Sequence, residues 1–225
     1  MKIVIANSKE WFSLDQDIHL EHSVITISNA DQLTKETLDK ISPDLIFFTH
    51  WNWIVPKKIF ASYKCIVFHT APLPFGRGGS PIQNLIIRGY EKTPVCALRM
   101  EDGVDAGPVY TKKEISLDGP LWKIFQRLNI CVNQMIKELV KNLPEPKHQD
   151  GVVYSFKRLK RSDNAIHKNL SIKEIYDRIR MVDEPSYPSA FLEYGNIVLE
   201  FSEAKLDRNE ISCKVKIKSF GTQSD

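Results

Sequence analysis

The chain has no apolar run long enough to cross a bilayer, and residues 1–6 lack the extended apolar core of a secretory signal. Cysteine is scarce. Its four copies, Cys65, Cys96, Cys131 and Cys213, form no Cys-x-x-Cys pair. Cys65 and Cys96 lie in apolar runs, so all four are expected to be reduced and mostly buried in a cytoplasmic protein. No cluster of His, Cys, Asp and Glu has metal-ligand spacing, and no metal is expected. A P-loop is absent too, because no Lys-Ser/Thr follows Gly76-Arg77-Gly78-Gly79. One-sided charge is also missing. A net charge of +3 over 225 residues argues against a nucleic-acid partner, which usually needs a clustered basic face. Internal repeats and low-complexity tracts are absent. The hydrophobic share of 42% and the charged share of 26% then describe an ordinary globular chain, one large domain or one domain with an appendage.

Apolar runs at residues 2–6, 23–28, 44–49 and 65–69 read as strands. Between them, residues 31–41 and 56–63 read as helices, and Ser80-Pro81 opens another over 80–88. Continuous apolar strands alternating with helices predict a mostly parallel sheet covered on both faces, a Rossmann-like α/β fold. Two further strands are expected at 95–100 and 108–115. Leu121, Ile124, Phe125, Leu128, Val132, Met135, Ile136 and Leu139 mark one face of a long amphipathic helix. Pro144 and Pro146 break the pattern, which divides the chain into residues 1–145 and 146–225. The second part reads as a small α+β extension, with a helix over 171–181, strands near 190–193, 197–201 and 211–217, and a frayed polar tail after Phe220.

The most informative stretch is 65–81. A buried strand ends in His69 and runs into Thr70-Ala71-Pro72-Leu73-Pro74-Phe75-Gly76-Arg77-Gly78-Gly79-Ser80-Pro81. A titratable group at the carboxyl end of a parallel strand faces the place where α/β proteins bind ligands. Asp105 follows, centred in the turn Gly103-Val104-Asp105-Ala106-Gly107-Pro108. The two loops read as halves of one active site.

These blocks resemble the catalytic segments of folate-dependent formyltransferases, whose pattern is Asn-x-His, a small polar residue, Leu-Pro, Arg-Gly-x-x-Pro, then Asp-x-Gly, Pro or Asp, and Ile or Val. The helix around Ile175-Tyr176-Asp177 and the segment Tyr187-Pro188-Ser189-Ala190-Phe191 are similar to a later part of the same family, so the resemblance covers about residues 1–200. It implies transfer of a formyl group from N10-formyltetrahydrofolate to an amine. His69 would take the amine proton or donate to the formyl oxygen, and Asp105 would orient its ring. One departure stands out. Val67 occupies the position of the family's Asn, and Asn52 on the neighbouring strand end is the candidate substitute. The resemblance further assigns the folate to Trp53, Ile54, Val55, Arg99, Met100 and Val104. It assigns the acceptor to Thr70, Pro72, Arg77, Gly78, Gly79, Arg161, Asn164 and Tyr187. His50 reads more readily as packing than as cleft lining, and the glycines read equally well as a tight turn.

Three branches compete for the acceptor. A methionyl-tRNA formyltransferase-like enzyme is expected to carry a longer basic C-terminal domain. A glycinamide ribonucleotide enzyme is expected to have a Gly-rich N-terminal loop, which Ala6-Asn7-Ser8-Lys9 lacks. The short extension fits the sugar-nucleotide N-formyltransferases best, in the pseudaminic-acid-type branch. The expected acceptor is therefore a nucleotide-linked amino sugar, UDP-4-amino-4,6-dideoxy-N-acetyl-altrosamine, used in surface glycan biosynthesis. Neither a nucleic-acid nor a membrane partner is expected, and a homodimer is left open. A non-catalytic folate- or nucleotide-binding protein is the reading from another class.

Overall fold

The computed structural model describes residues 1–219, so the tail after Phe220 lies outside the described residues. A six-stranded sheet has the order β2-β1-β3-β4-β6-β7. Its strands are β1 (Lys2–Asn7), β2 (Ser23–Ile27), β3 (Leu45–His50), β4 (Cys65–His69), β6 (Lys92–Arg99) and β7 (Val109–Ser116). β1 to β4 are mutually parallel, while β6 runs antiparallel to β4 and β7 antiparallel to β6. The sheet is therefore mostly parallel on one side and antiparallel on the other. Two apolar clusters cover its faces. Ile3, Ile5, Leu45, Phe47 and Ile66 belong to one, and Val4, Ala6, Ile46, Phe48 and Cys65 to the other. This alternation follows from the period of two along a strand.

Helices α1 (Gln16–Glu21), α2 (Lys35–Ile41), α3 (Lys57–Phe60) and α4 (Pro81–Ile87) connect the strands. The helix expected over 31–41 divides in two. A short 3-10 turn at Ala30–Gln32 precedes α2, because the Thr34 side chain accepts from Thr37 N–H and caps the helix there. Ser80 precedes α4 at φ 50° and makes no side-chain cap; its hydroxyl oxygen accepts instead from Leu159 N–H at 3.1 Å. α5 (Leu121–Lys141) buries the whole expected apolar stripe against the first cluster.

After α5, β8 (Tyr154–Phe156) runs parallel to β5 (Phe75–Gly78), a strand where the sequence pattern predicts only loop. Glu174 and Ser171 form a capping box at the start of α6 (Ile172–Arg180). β9 (Ala190–Tyr194), β10 (Ile197–Asp207) and β11 (Glu210–Ser219) form a separate antiparallel sheet in the order β11-β10-β9. Phe156, Ile179, Met181, Val182 and Ala190 belong to the same apolar cluster as Ile3 and Phe47, so one core runs through both parts of the chain. Buried Arg180 joins α6 to the segment before α5, donating to Asp177 Oδ1 at 2.6 Å and to the carbonyls of Leu117 and Gly119. Among the described residues, no helix is long and apolar enough to cross a membrane.

Candidate active site

His69 closes β4 and is 6% exposed. Its Nε2 lies 2.7 Å from the Gly76 carbonyl oxygen, and its Nδ1 lies 3.3 Å from Asp105 Oδ2. The same carboxylate oxygen accepts from Gly78 N–H at 2.9 Å. Both ring nitrogens are therefore engaged, and the imidazole is fixed between the β5 loop and the Asp105 turn. Asp105 sits at φ 51°, a left-handed conformation that costs energy for a residue with a Cβ and is retained where surrounding contacts enforce it. Gly107 is required in the same turn, since a Cβ there would lie 1.8 Å from Arg99 O.

The glycines of the β5 loop serve chain packing. A Cβ on Gly78 would meet Phe156 O at 2.7 Å, and one on Gly79 would meet Arg158 Cβ at 2.6 Å. They let β8 lie directly against β5. Arg77 reaches away from the cavity. Its guanidinium donates twice to Gln149 Oε1, at 3.1 and 2.8 Å, and Gln149 Nε2 donates to the carbonyls of Asp105 and Gly107. Gln149 thus braces the Asp105 turn. No sequence signal marks this residue, which is a lone Gln in an irregular segment.

A cavity of about 1050 Å³ opens at the carboxyl ends of β1, β3 and β4, where ligands bind in open α/β sheets. It brings together His69, Asp105, Asn52, Trp53, Ile54, Val55, Arg99, Met100, Val104, Thr70, Gly78, Gly79 and Tyr187. Four of the expected residues are not among its lining. Pro72 stands in the β4–β5 connection and Arg77 within β5 itself. Arg161 lies 3.7 Å from Glu200 and over the Phe191 ring. Asn164 is buried and donates to Pro188 O at 2.7 Å. These last two contacts hold the C-terminal sheet against its flanking turn.

The cavity also collects buried polar atoms that have no hydrogen-bond partner among the described residues: Trp11 Nε1, Thr49 Oγ1, His50 Nε2, Trp51 Nε1 and Gln83 Nε2. Groups left like this are costly unless a ligand or water completes them. Burial, aided by the Lys9 charge, pushes His50 down to about 3, so its ring stays neutral near pH 7. Burial raises the Tyr187 hydroxyl above its ordinary range, and the neighbouring Gln83 side chain partly opposes this. Burial also pushes the Cys65 thiol up to about 12, which makes it an inert core group. All four cysteines are free.

The formyl transferase family model matches residues 6–119, a span that carries both the His69 and Asp105 segments. The chain belongs to this family. A second model, the methionyl-tRNA formyltransferase C-terminal domain, matches residues 161–218. The solved methionyl-tRNA formyltransferase from Clostridium thermocellum is 40% identical, with a TM-score of 0.92 over 97% of this chain and 99% of that one. The methionyl-tRNA formyltransferase of Rickettsia africae (strain ESF-5) is 30% identical over 177 residues, 75% of this chain. This chain spans only 57% of the length of that relative. A Mycobacterium tuberculosis protein described as a likely sugar N-formyltransferase shares the fold at 17% identity and a TM-score of 0.68.

These likenesses overturn the sugar-nucleotide assignment, and with it the amino-sugar acceptor and the exclusion of nucleic acid. Length and total charge mislead here. The C-terminal part reads as too short for a methionyl-tRNA formyltransferase C-terminal domain, yet residues 161–218 match that family model. The basic run Lys157-Arg158-Leu159-Lys160-Arg161, which reads in the sequence as a solvated face or a nucleotide diphosphate site, has all four of its basic residues exposed, a local charge that a net charge of +3 does not describe.

Proposed function

We propose that the chain transfers a formyl group from N10-formyltetrahydrofolate to the α-amine of methionyl-tRNA. One observation carries the reading. The paired His69 and Asp105 both line the cavity in a chain whose C-terminal segment is similar to the methionyl-tRNA formyltransferase C-terminal domain.

The outer half of the cavity suits a flat ring with polar edges. Trp51 and Trp53 pack with ring centroids 4.9 Å apart, Ile54, Val55, Met100 and Val104 supply apolar wall, and Trp51 offers a buried N–H without a partner among the described residues. The folate, when bound, supplies the electrophilic formyl carbon. His69 moves a proton at Nε2 once substrate replaces the Gly76 carbonyl there, since such bonds rearrange on substrate binding. Asp105 holds the ring from the Nδ1 side. At Val67 the chain lacks the family's Asn, and a lost oxyanion donor is worth about 3 kcal/mol in a typical site. The Trp51 indole packs against the same cluster as Val67 and is a donor on that side. Basic residues 157–161 lie between the cavity and the C-terminal sheet, where they suit the phosphates of an acceptor stem.

The test is direct. Protein, N10-formyltetrahydrofolate and methionyl-tRNA are incubated, and N-formylmethionine released from the tRNA is measured beside a panel of nucleotide-linked amino sugars. Formylmethionine as the product supports the reading. Formylation of an amino sugar, with methionyl-tRNA untouched, would sink it.

A further inference from the structure

His50 is the feature of the cavity that the reaction above does not use. Its position follows from an irregularity in the sheet. β1 pairs with β3 in strict register through Ala6–Phe48, and the next pair is Asn7–His50, so Thr49 is an extra residue. Strict alternation would send His50 to the face that holds Ile46 and Phe48. The bulge turns it to the opposite face, where its ring meets Trp11 at 4.1 Å and Phe12 at 5.4 Å. Bulges near active sites re-aim side chains in this way. The backbone there is fixed as well, since the His50 carbonyl accepts from Ser8 N–H at 3.0 Å and from the Ser8 hydroxyl at 2.6 Å.

The ring so placed has a buried Nε2 with no partner among the described residues, and it lines the cavity together with Trp11, Thr49 and Gln83, each of which also carries an unpartnered buried polar atom. Phe68, Phe125, Leu128 and Tyr187 supply the apolar remainder of this wall. His69, by contrast, has both ring nitrogens engaged.

We propose that His50 orients the acceptor amine: its Nε2 lone pair accepts a hydrogen bond from the attacking –NH2, aiming the nitrogen lone pair at the formyl carbon, while proton removal stays with His69. A neutral imidazole suits this task. It accepts from an uncharged amine and does not repel it as an imidazolium would. Its weak basicity keeps it from holding the proton, so it is a substrate-orienting residue and not a second general base. The niche around it combines the polar atoms of Thr49 and Gln83 with aromatic wall, beside the charge of Lys9, and fits an uncharged primary amine on a small apolar-chain ester.

This inference rests on the methionyl-tRNA reading for the identity of the amine, and the experiment separates the two. Steady-state kinetics are measured for the wild-type protein, His50→Ala and His50→Gln with methionyl-tRNA and with N10-formyltetrahydrofolate. His50→Ala is expected to raise the acceptor KM or lower kcat so that kcat/KM for the acceptor falls about 10-fold or more, with the folate KM within about 2-fold of wild type. His50→Gln, whose amide oxygen can accept from the amine, should recover part of that loss. An unchanged acceptor kcat/KM in His50→Ala overturns the proposal and leaves the methionyl-tRNA reading intact. A rise in the folate KM to match the loss with the acceptor also overturns it, since that is a packing defect. If the wild-type protein formylates some other amine of a panel, the methionyl-tRNA reading fails and the same variants decide the role of His50 with that amine. If it formylates no amine at all, both fail.

Discussion

His69 holds the two halves of the site together, with Gly76 O on one ring nitrogen and Asp105 on the other. Replacing it with Ala removes the group proposed to move the proton. Turnover is expected to fall at least ~100-fold with folate affinity retained, as read by single-turnover transfer and folate titration; turnover within a few-fold of wild type would exclude a proton-moving role. His50 gives a second, thermodynamic signature. Its native ring is held neutral down to about 3 by burial and by Lys9, whereas the unfolded ring titrates near 6.5. The unfolded state thus binds more protons below pH 6.5, so this residue's contribution is full above that value and is lost as pH falls toward 3. The local slope is at most about 1.4 kcal/mol per pH unit. Urea melts of wild type and His50→Gln between pH 7 and 4.5 should diverge, the wild type losing stability faster. Parallel curves would mean that the ring is not desolvated.

At the scale of elements, the turn from Met100 to Gly107 depends on a glycine that touches backbone. Gly107→Ala forces a Cβ against Arg99 O, and carbonyl oxygen cannot retreat as a side chain can. A loss of about 3 kcal/mol is expected, seen as a thermal midpoint lower by roughly 6–12 °C; an unshifted midpoint would mean that the turn is pliable. Much of the element plan was legible in the sequence. The α5 stripe from Leu121 to Leu139 is buried at every expected position, and Ser80-Pro81 marked the start of α4. Strand direction was not legible. Thr93 to Leu98 and Ile66 to Phe68 read as apolar runs whichever way they point, so the antiparallel β6 and β7 left no signal. β5 escapes a sequence reading because Phe-Gly-Arg-Gly has little strand propensity and forms only through its ladder with β8. Of the cavity, the meeting of His69 and Asp105 was readable from their loops. Thr49, Gln83 and Gln149 were not, since their roles come from a bulge, a helix face and a long-range bridge.

Across the whole molecule, the acceptor was misread because composition averages over the chain, whereas a polyanion meets only one face of it. The exposed run Lys157-Arg158-Lys160-Arg161 predicts strongly salt-dependent binding of methionyl-tRNA. Changing Lys157 and Lys160 to Glu should weaken binding and reduce the slope of log K against log salt by about 2, roughly one for each phosphate no longer neutralised. Folate affinity should stay as in wild type. Filter-binding titrations from about 50 to 200 mM salt check this, and an unchanged slope would place the tRNA elsewhere. The shared core has a consequence for inheritance. Phe156, Ile179 and Ala190 complete the cluster begun by Ile3 and Phe47, and β8 lies on glycines that admit nothing bulkier. A gene fusion that exchanged the C-terminal segment for a stranger's would have to exchange the Gly-Arg-Gly-Gly loop with it, so the two stretches should travel through recombination as a linked pair although roughly 75 residues separate them along the chain.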